Sequence, residues 1–214
     1  MKKFTILLLA ILTVAAVFLP SCREEITYPE EEIRSALKDL LPRSYELNVV
    51  YFGEGLPISE DRELLDKFYN SFDSDVEMIN YHPVSADCSY QTESALRDAT
   101  LAVFTEDYSE YLFQRAFAGI SGQLQNIEGE TVTHSAMYAM YIEQNGVLTV
   151  RLNLADEAIP LGREFSVDEM TVKSQKRGVV VVEMPTYYNG ELDFYVEVRL
   201  VMTENGWRLD SPTY

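Results

Sequence analysis

Apolar residues recur along this chain with three different periods. From Ile6 to Leu19 they run almost without interruption. Ile33, Ala36, Leu37, Leu40 and Leu41 then fall three and four apart, which is one face of a helix. Pro29 followed by Glu30, Glu31 and Glu32 marks its start, because proline suits the first helical position and acids complement the helix dipole. Pro42 is expected to end or kink this helix, with Tyr45 to Phe52 as a helical continuation closed by the loop Gly53-Glu54-Gly55-Leu56-Pro57. Residues 58–75, acidic with Leu64, Leu65, Phe68, Tyr69 and Phe72 interspersed, predict a helix or an ordered loop, and Val76 to Val84 a short strand ending at Pro83. Thr92 is an N-cap for a helix with Leu96, Ala99, Thr100 and Val103 inward; Thr105 starts another, which Gly119 and Gly122 are expected to terminate.

From about residue 131 the period becomes two. Leu148, Val150, Leu152 and Leu154 alternate with polar residues, and so do Leu192, Phe194, Val196, Val198, Leu200 and Met202. Asn145-Gly146, Asn189-Gly190 and Asn205-Gly206 sit between apolar runs and predict tight hairpins; Lys176-Arg177-Gly178 supplies another turn. The expected strands are 132–143, 147–154, 168–175, 179–187, 191–203 and 206–210. The fold class is therefore α+β, with N-terminal helices packed on a curved antiparallel meander of about six strands. The expected organisation is a leader over 1–21, a tether over 22–28 and one α+β domain over 29–214, helical to about 122 and sheet over 131–211.

The leader combines Lys2 and Lys3 with an apolar core too short for a comfortable membrane span. It closes with Leu19-Pro20-Ser21-Cys22, which resembles the lipobox of bacterial lipoproteins, although Pro20 departs from the usual small residue. The resemblance implies lipid on Cys22, cleavage before it, and a protein held on the extracytoplasmic face of the cell membrane. The chain carries 17 basic and 35 acidic residues, a net charge of −18, and losing the leader removes two lysines and no acid. Such a surface repels nucleic acid, whose phosphates need basic residues to displace counterions. A basic or cell-wall-associated protein partner remains attractive, and the charge also serves solubility.

Helices followed by a meander, ending in Asn205-Gly206-Trp207-Arg208-Leu209, resemble the NTF2-like, or cystatin-like, architecture. Tyr90-Gln91-Thr92 with Leu96, and Val103-Phe104-Thr105 with Tyr108, resemble small exported inhibitors of bacterial cell-wall endopeptidases. The layout is also similar to uncharacterised lipoproteins of Gram-positive bacteria. These resemblances imply a binding module, an inhibitor or regulator of a cell-wall hydrolase, or a small-ligand binder using the cone of the sheet.

Candidate chemistry is sparse. His82 and His134 are the two histidines, and each reads as structural unless it meets a carboxylate cluster or Cys88 in a cleft. With Cys22 lipidated, Cys88 stands alone and reads as a small buried hydrophobe. Asp73, Asp75 and Glu77 alternate as calcium ligands do but lack the glycine and the distal glutamate of an EF-hand, so they read as a solvated turn. No catalytic residue, metal site or cofactor is expected. The abundant tyrosine and phenylalanine suit an interface or a pocket, with Tyr138, Tyr141 and Phe194 as the expected lining of the cone. A structural accessory of an envelope assembly is a further alternative. Cys22→Ser is expected to release the protein from the membrane fraction; continued membrane attachment contradicts lipidation.

Overall fold

The computed structural model describes residues 27–71, 80–118, 120–125, 131–137, 139–152 and 161–214, with the segments 120–125 and 131–137 as backbone. The leader, Cys22 and the tether to residue 26 lie outside the described residues, as do Tyr138 and the acidic segment 72–79.

Helix α1 (Glu30–Phe52) buries Ile33, Leu37, Leu40, Leu41, Ser44, Leu47, Asn48 and Tyr51 along one stripe. Pro42 does not end it. The proline lies on the exposed face, where water satisfies the carbonyl that loses its amide partner, while buried residues on either side hold the helix together. Helix α2 (Arg62–Tyr69) is capped by Asp61, whose side chain accepts from the amides of Glu63 and Leu64. Helices α3 (Glu93–Leu101) and α4 (Glu106–Phe113) begin where expected, the hydroxyls of Thr92 and Thr105 accepting from Ala95 and Tyr108. The helix α4 passes into a π turn, Gln114–Ala118, and Gly122 lies inside a strand rather than ending a helix.

The strands are β1 (Tyr81–Pro83), β2 (Ile120–Gln125), β3 (Thr131–Met137), β4 (Tyr141–Gln144), β5 (Val147–Arg151), β6 (Arg163–Phe165), β7 (Thr171–Lys176), β8 (Val179–Tyr188), β9 (Glu191–Thr203) and β10 (Gly206–Leu209). They exceed the expected set because the strand over 132–143 is divided in two and because β2 and β6 carry no legible alternation. All pairings between them are antiparallel. One sheet runs β1-β5-β4, one pairs β2 with β3, and the largest runs β10-β9-β8-β6 with β7 also on β8. The architecture is α+β, with helices N-terminal to a strongly curled antiparallel sheet that forms a half-barrel, consistent with an NTF2-like layout.

Turn chemistry builds this sheet. Asn145-Gly146, Arg177-Gly178 and Asn189-Gly190 all place both residues at positive φ, between 52° and 81°, which gives the two-residue hairpin turns whose twist matches the strands. Asn205-Gly206 differs, with only Gly206 left-handed, at φ 94°. There the Thr203 hydroxyl accepts from the Asn205 amide and donates to the Gly206 carbonyl.

One continuous core joins α1, α3 and α4 to both larger sheets, with Val180, Val182, Met184, Val198, Leu200 and Leu209 fully buried beneath the helices. A buried polar chain locks the C-terminus into it. Asn48 Nδ2 donates to the Thr213 carbonyl and hydroxyl at 3.0 Å, and the Thr213 hydroxyl donates to Ser44 Oγ at 2.8 Å. The N-terminal end is clamped as well. The Tyr28 amide donates to Gln175 Oε1 at 2.7 Å, Gln175 Nε2 returns a bond to the Tyr28 carbonyl at 3.1 Å, and the Tyr28 ring meets Trp207 edge-on. Gln175 therefore imitates a strand neighbour and pins the start of the fold beside the β7–β8 turn.

Candidate functional site

The expected pocket residues take separate places. Tyr141, on β4, is 1% exposed, and its hydroxyl donates to the Val50 carbonyl at 2.7 Å while accepting from the Leu56 amide at 3.2 Å. It ties α1 and the following loop to the three-stranded sheet. Phe194, on β9 of the largest sheet, is 44% exposed. Tyr138 lies outside the described residues. His134 falls in β3, paired through its backbone with Gly122. His82, on β1, stands edge-on to Tyr69 at 5.7 Å, and its Nδ1 is buried with no hydrogen-bond partner among the described residues. Cys88 is half-buried, and its sulfur accepts from the Tyr90 amide at 3.4 Å. Among the described residues no group of three or more His, Cys, Asp or Glu gathers as a metal site would, and no helix is long and apolar enough to cross a membrane.

The feature that stands out is the far end of the β8–β9 hairpin. Near α1 this hairpin alternates normally, with Val198 and Leu200 buried and Glu197 and Arg199 outside. Toward the Asn189-Gly190 turn the alternation stops and residues 191–195 are all exposed, so both faces of the hairpin meet solvent. Tyr188 is 46% exposed, Leu192 55% and Tyr195 61%, alongside Phe194. The register shift between Pro185/Tyr195 and Tyr187/Leu192 leaves one extra residue on β9. Such a bulge bends and twists the strand and re-aims its side chains, so that the neighbours Asp193 and Phe194 both reach Arg163. The Thr186 hydroxyl spans the bulge by donating to the Phe194 carbonyl at 2.9 Å.

The aromatic end is held rigid. Arg163, on β6, stacks its guanidinium 4.3 Å from the centre of the Phe194 ring, donates through Nε to Asp193 at 3.0 Å, and donates through an Nη to the Tyr214 carbonyl at 2.7 Å. One arginine thus fastens β6, β9 and the C-terminus. A guanidinium on an aromatic face contributes about 0.5–1 kcal/mol where exposed. Tyr187, on the same hairpin, donates to Glu169 Oε1 at 3.1 Å, and that bond raises its pKa. Tyrosine and arginine arranged in this way are the residues that dominate protein–protein interfaces.

Grooves lie elsewhere among the described residues, two of them lined by charged groups beside the helices. One, of about 580 Å³, runs between α4 and β9–β10, where Asp210 bridges the Thr105 hydroxyl and the Arg199 guanidinium. The other, of about 420 Å³, lies between α1 and β6, beside the Lys38–Asp168 ion pair. In both, the polar groups named are already satisfied internally. In comparison with known proteins, no family model and no curated protein matches this chain.

The phenolic groups of the core carry a pH consequence. Burial pushes the hydroxyls of Tyr51, Tyr108 and Tyr141 far above the ordinary tyrosine value of 10.0. For Tyr51 a hydrogen bond with Thr100 works against this, as the Leu56 amide does for Tyr141. Below about pH 10 both folded and unfolded chains keep these protons, and the neutral form is fully favourable. Above it the unfolded chain releases protons that the folded chain retains, so stability falls as pH rises. The expected slope is up to about 1.4 kcal/mol per pH unit for each such tyrosine. Urea melts at rising alkaline pH measure it, and a flat profile contradicts the buried assignment.

Proposed function

We propose that this protein is a lipid-anchored, extracytoplasmic binding module without catalytic machinery, and that it engages a protein partner through the aromatic end of the β8–β9 hairpin. The observation that carries the reading is that Tyr188, Leu192, Phe194 and Tyr195, large side chains 44–61% exposed, gather at one end of the hairpin, where Arg163 fastens Phe194. Covering one such side chain is worth about 1.5–3 kcal/mol, so leaving several in water without an occupant forgoes much favourable burial.

An anchor at Cys22 also sets how the domain stands. Tyr28 is clamped at the β7–β8 turn, the opposite end of β8 from the aromatic end. A ten-residue strand separates the two ends by roughly 30 Å. Lipid on Cys22 leaves five residues before Tyr28, a reach of at most about 18 Å. The anchored domain then holds its clamped end, with Lys176 and Arg177, toward the membrane, and presents its aromatic hairpin away from it. The resemblance to exported inhibitors of cell-wall endopeptidases makes a cell-wall hydrolase the partner class to test first.

The test is crosslinking capture from the envelope fraction with the full lipid-anchored chain, wild type against Leu192→Ser/Tyr195→Ser. Both residues are exposed, so the variant keeps its core. A partner captured by the wild type and lost with the variant is expected; an unchanged capture yield contradicts the hairpin as the docking surface.

A further inference from the structure

The aromatic hairpin end borders an open strand edge. Strand β9 pairs with β8 from Glu191 to Val201 apart from the bulge, but on its other side β10 covers only Leu200 to Thr203. The direction of each backbone group on β9 follows from the bonds on either side of it. The Arg199 amide donates to Ser211 Oγ at 3.1 Å and the Arg199 carbonyl accepts from the Asp210 amide at 2.8 Å, so residue 199 points its polar groups away from β8. Strand alternation then turns Glu197 and Tyr195 the same way. The opposite strand agrees. Pro185 stands across from Tyr195 and its carbonyl turns to the far side, to the Ser166 amide, as a pair not bonded to each other requires. Among the described residues the amides and carbonyls of Tyr195 and Glu197 have no backbone partner. An uncovered edge of this kind is a template for another strand.

The charges along this edge select the occupant. Glu197 and Glu191 have no ion-pair partner among the described residues, and Asp193 is shared with Arg163. A second copy of this chain would bring these acids against their own equivalents, and each copy carries −18. Like charges facing across a strand pair destabilise it. An extended segment carrying lysine or arginine alternately with apolar residues meets the opposite situation. Its main chain pairs with Tyr195 and Glu197, its bases lie on their face beside Glu197, and its apolar side chains fall on the other face, along Val196 and Phe194.

Resting on the reading of the hairpin as a docking surface, we propose that the partner supplies a basic, extended segment that adds as a strand to β9 beside Tyr195 and Glu197. Main-chain pairing gives the affinity and the acids give the choice of sign.

The experiment uses a synthetic peptide of alternating lysine and valine, its glutamate–valine counterpart, and a lysine–valine peptide N-methylated on the amides of one edge. Binding to the folded domain is followed by fluorescence anisotropy. The lysine–valine peptide is expected to bind, at least about tenfold more weakly to Glu197→Pro, which removes the outward amide, and more weakly at high salt. The N-methylated peptide is expected to lose binding in the same way, and it keeps the test valid if the proline variant fails to fold. Equal binding of the glutamate–valine or N-methylated peptide overturns strand addition. In the capture assay, a partner lost with Leu192→Ser/Tyr195→Ser but retained by a folded Glu197→Pro overturns strand addition and leaves the docking surface standing; capture unchanged in both variants overturns the two together.

Discussion

The fold depends on α1 bridging two sheets that have no strand pairing with each other. It meets the largest sheet at two places: near its start Glu32 accepts from the Trp207 indole, and past Pro42 the Tyr45 hydroxyl accepts from the Phe165 amide. Its second half holds the three-stranded sheet through the Val50 carbonyl and Tyr141, and α3 through Tyr51 and Thr100. Between them Ser44 and Asn48 bind the C-terminal Thr213. All of these polar bonds except the exposed one between Glu32 and Trp207 are buried or half-buried beside a continuous apolar stripe. A helix broken at Pro42 would part Ile33, Leu37 and the Glu32 contact from those of Tyr45, Asn48, Val50 and Tyr51, so the proline is tolerated on the exposed face, where the helix runs on.

The sheet is left in water at one end. Val198 and Leu200 of β9 belong to the core that α1 shares, whereas residues 191–195 beside the Asn189-Gly190 turn are all exposed. Without core cover, alternation has nothing to satisfy, and both faces of the hairpin carry aromatic or charged residues. The bulge and Arg163 give this end its shape.

Local signals in the sequence were read well, and non-local ones were not. Thr92 and Thr105 cap their helices through bonds three residues away, and the Asn-Gly turns need only their own φ angles, so both are legible. Strand β6 is three residues long and held by Tyr187 and Tyr188 across the sheet, a pairing with no trace in local periodicity. Pro42 was expected to end or kink a helix because its tolerance depends on which face is exposed. Phe194 and Tyr141 both read as inward residues of alternating strands. What separates them is a partner distant in sequence, since Tyr141 is sealed against Val50 while Phe194 stacks on Arg163 at the open end of the hairpin. The partner bonds of Arg163, which shape the candidate site, come from three segments far apart in sequence.

Amide hydrogen exchange on the free domain tests the open edge most directly. With β10 covering only the end of β9, the amides of Tyr195 and Glu197 should exchange quickly, while Val196, Val198 and Leu200, facing β8 or buried beneath α1, stay protected. Uniform slow exchange from Tyr195 through Leu200 would show that the edge is already occupied, and would contradict the account.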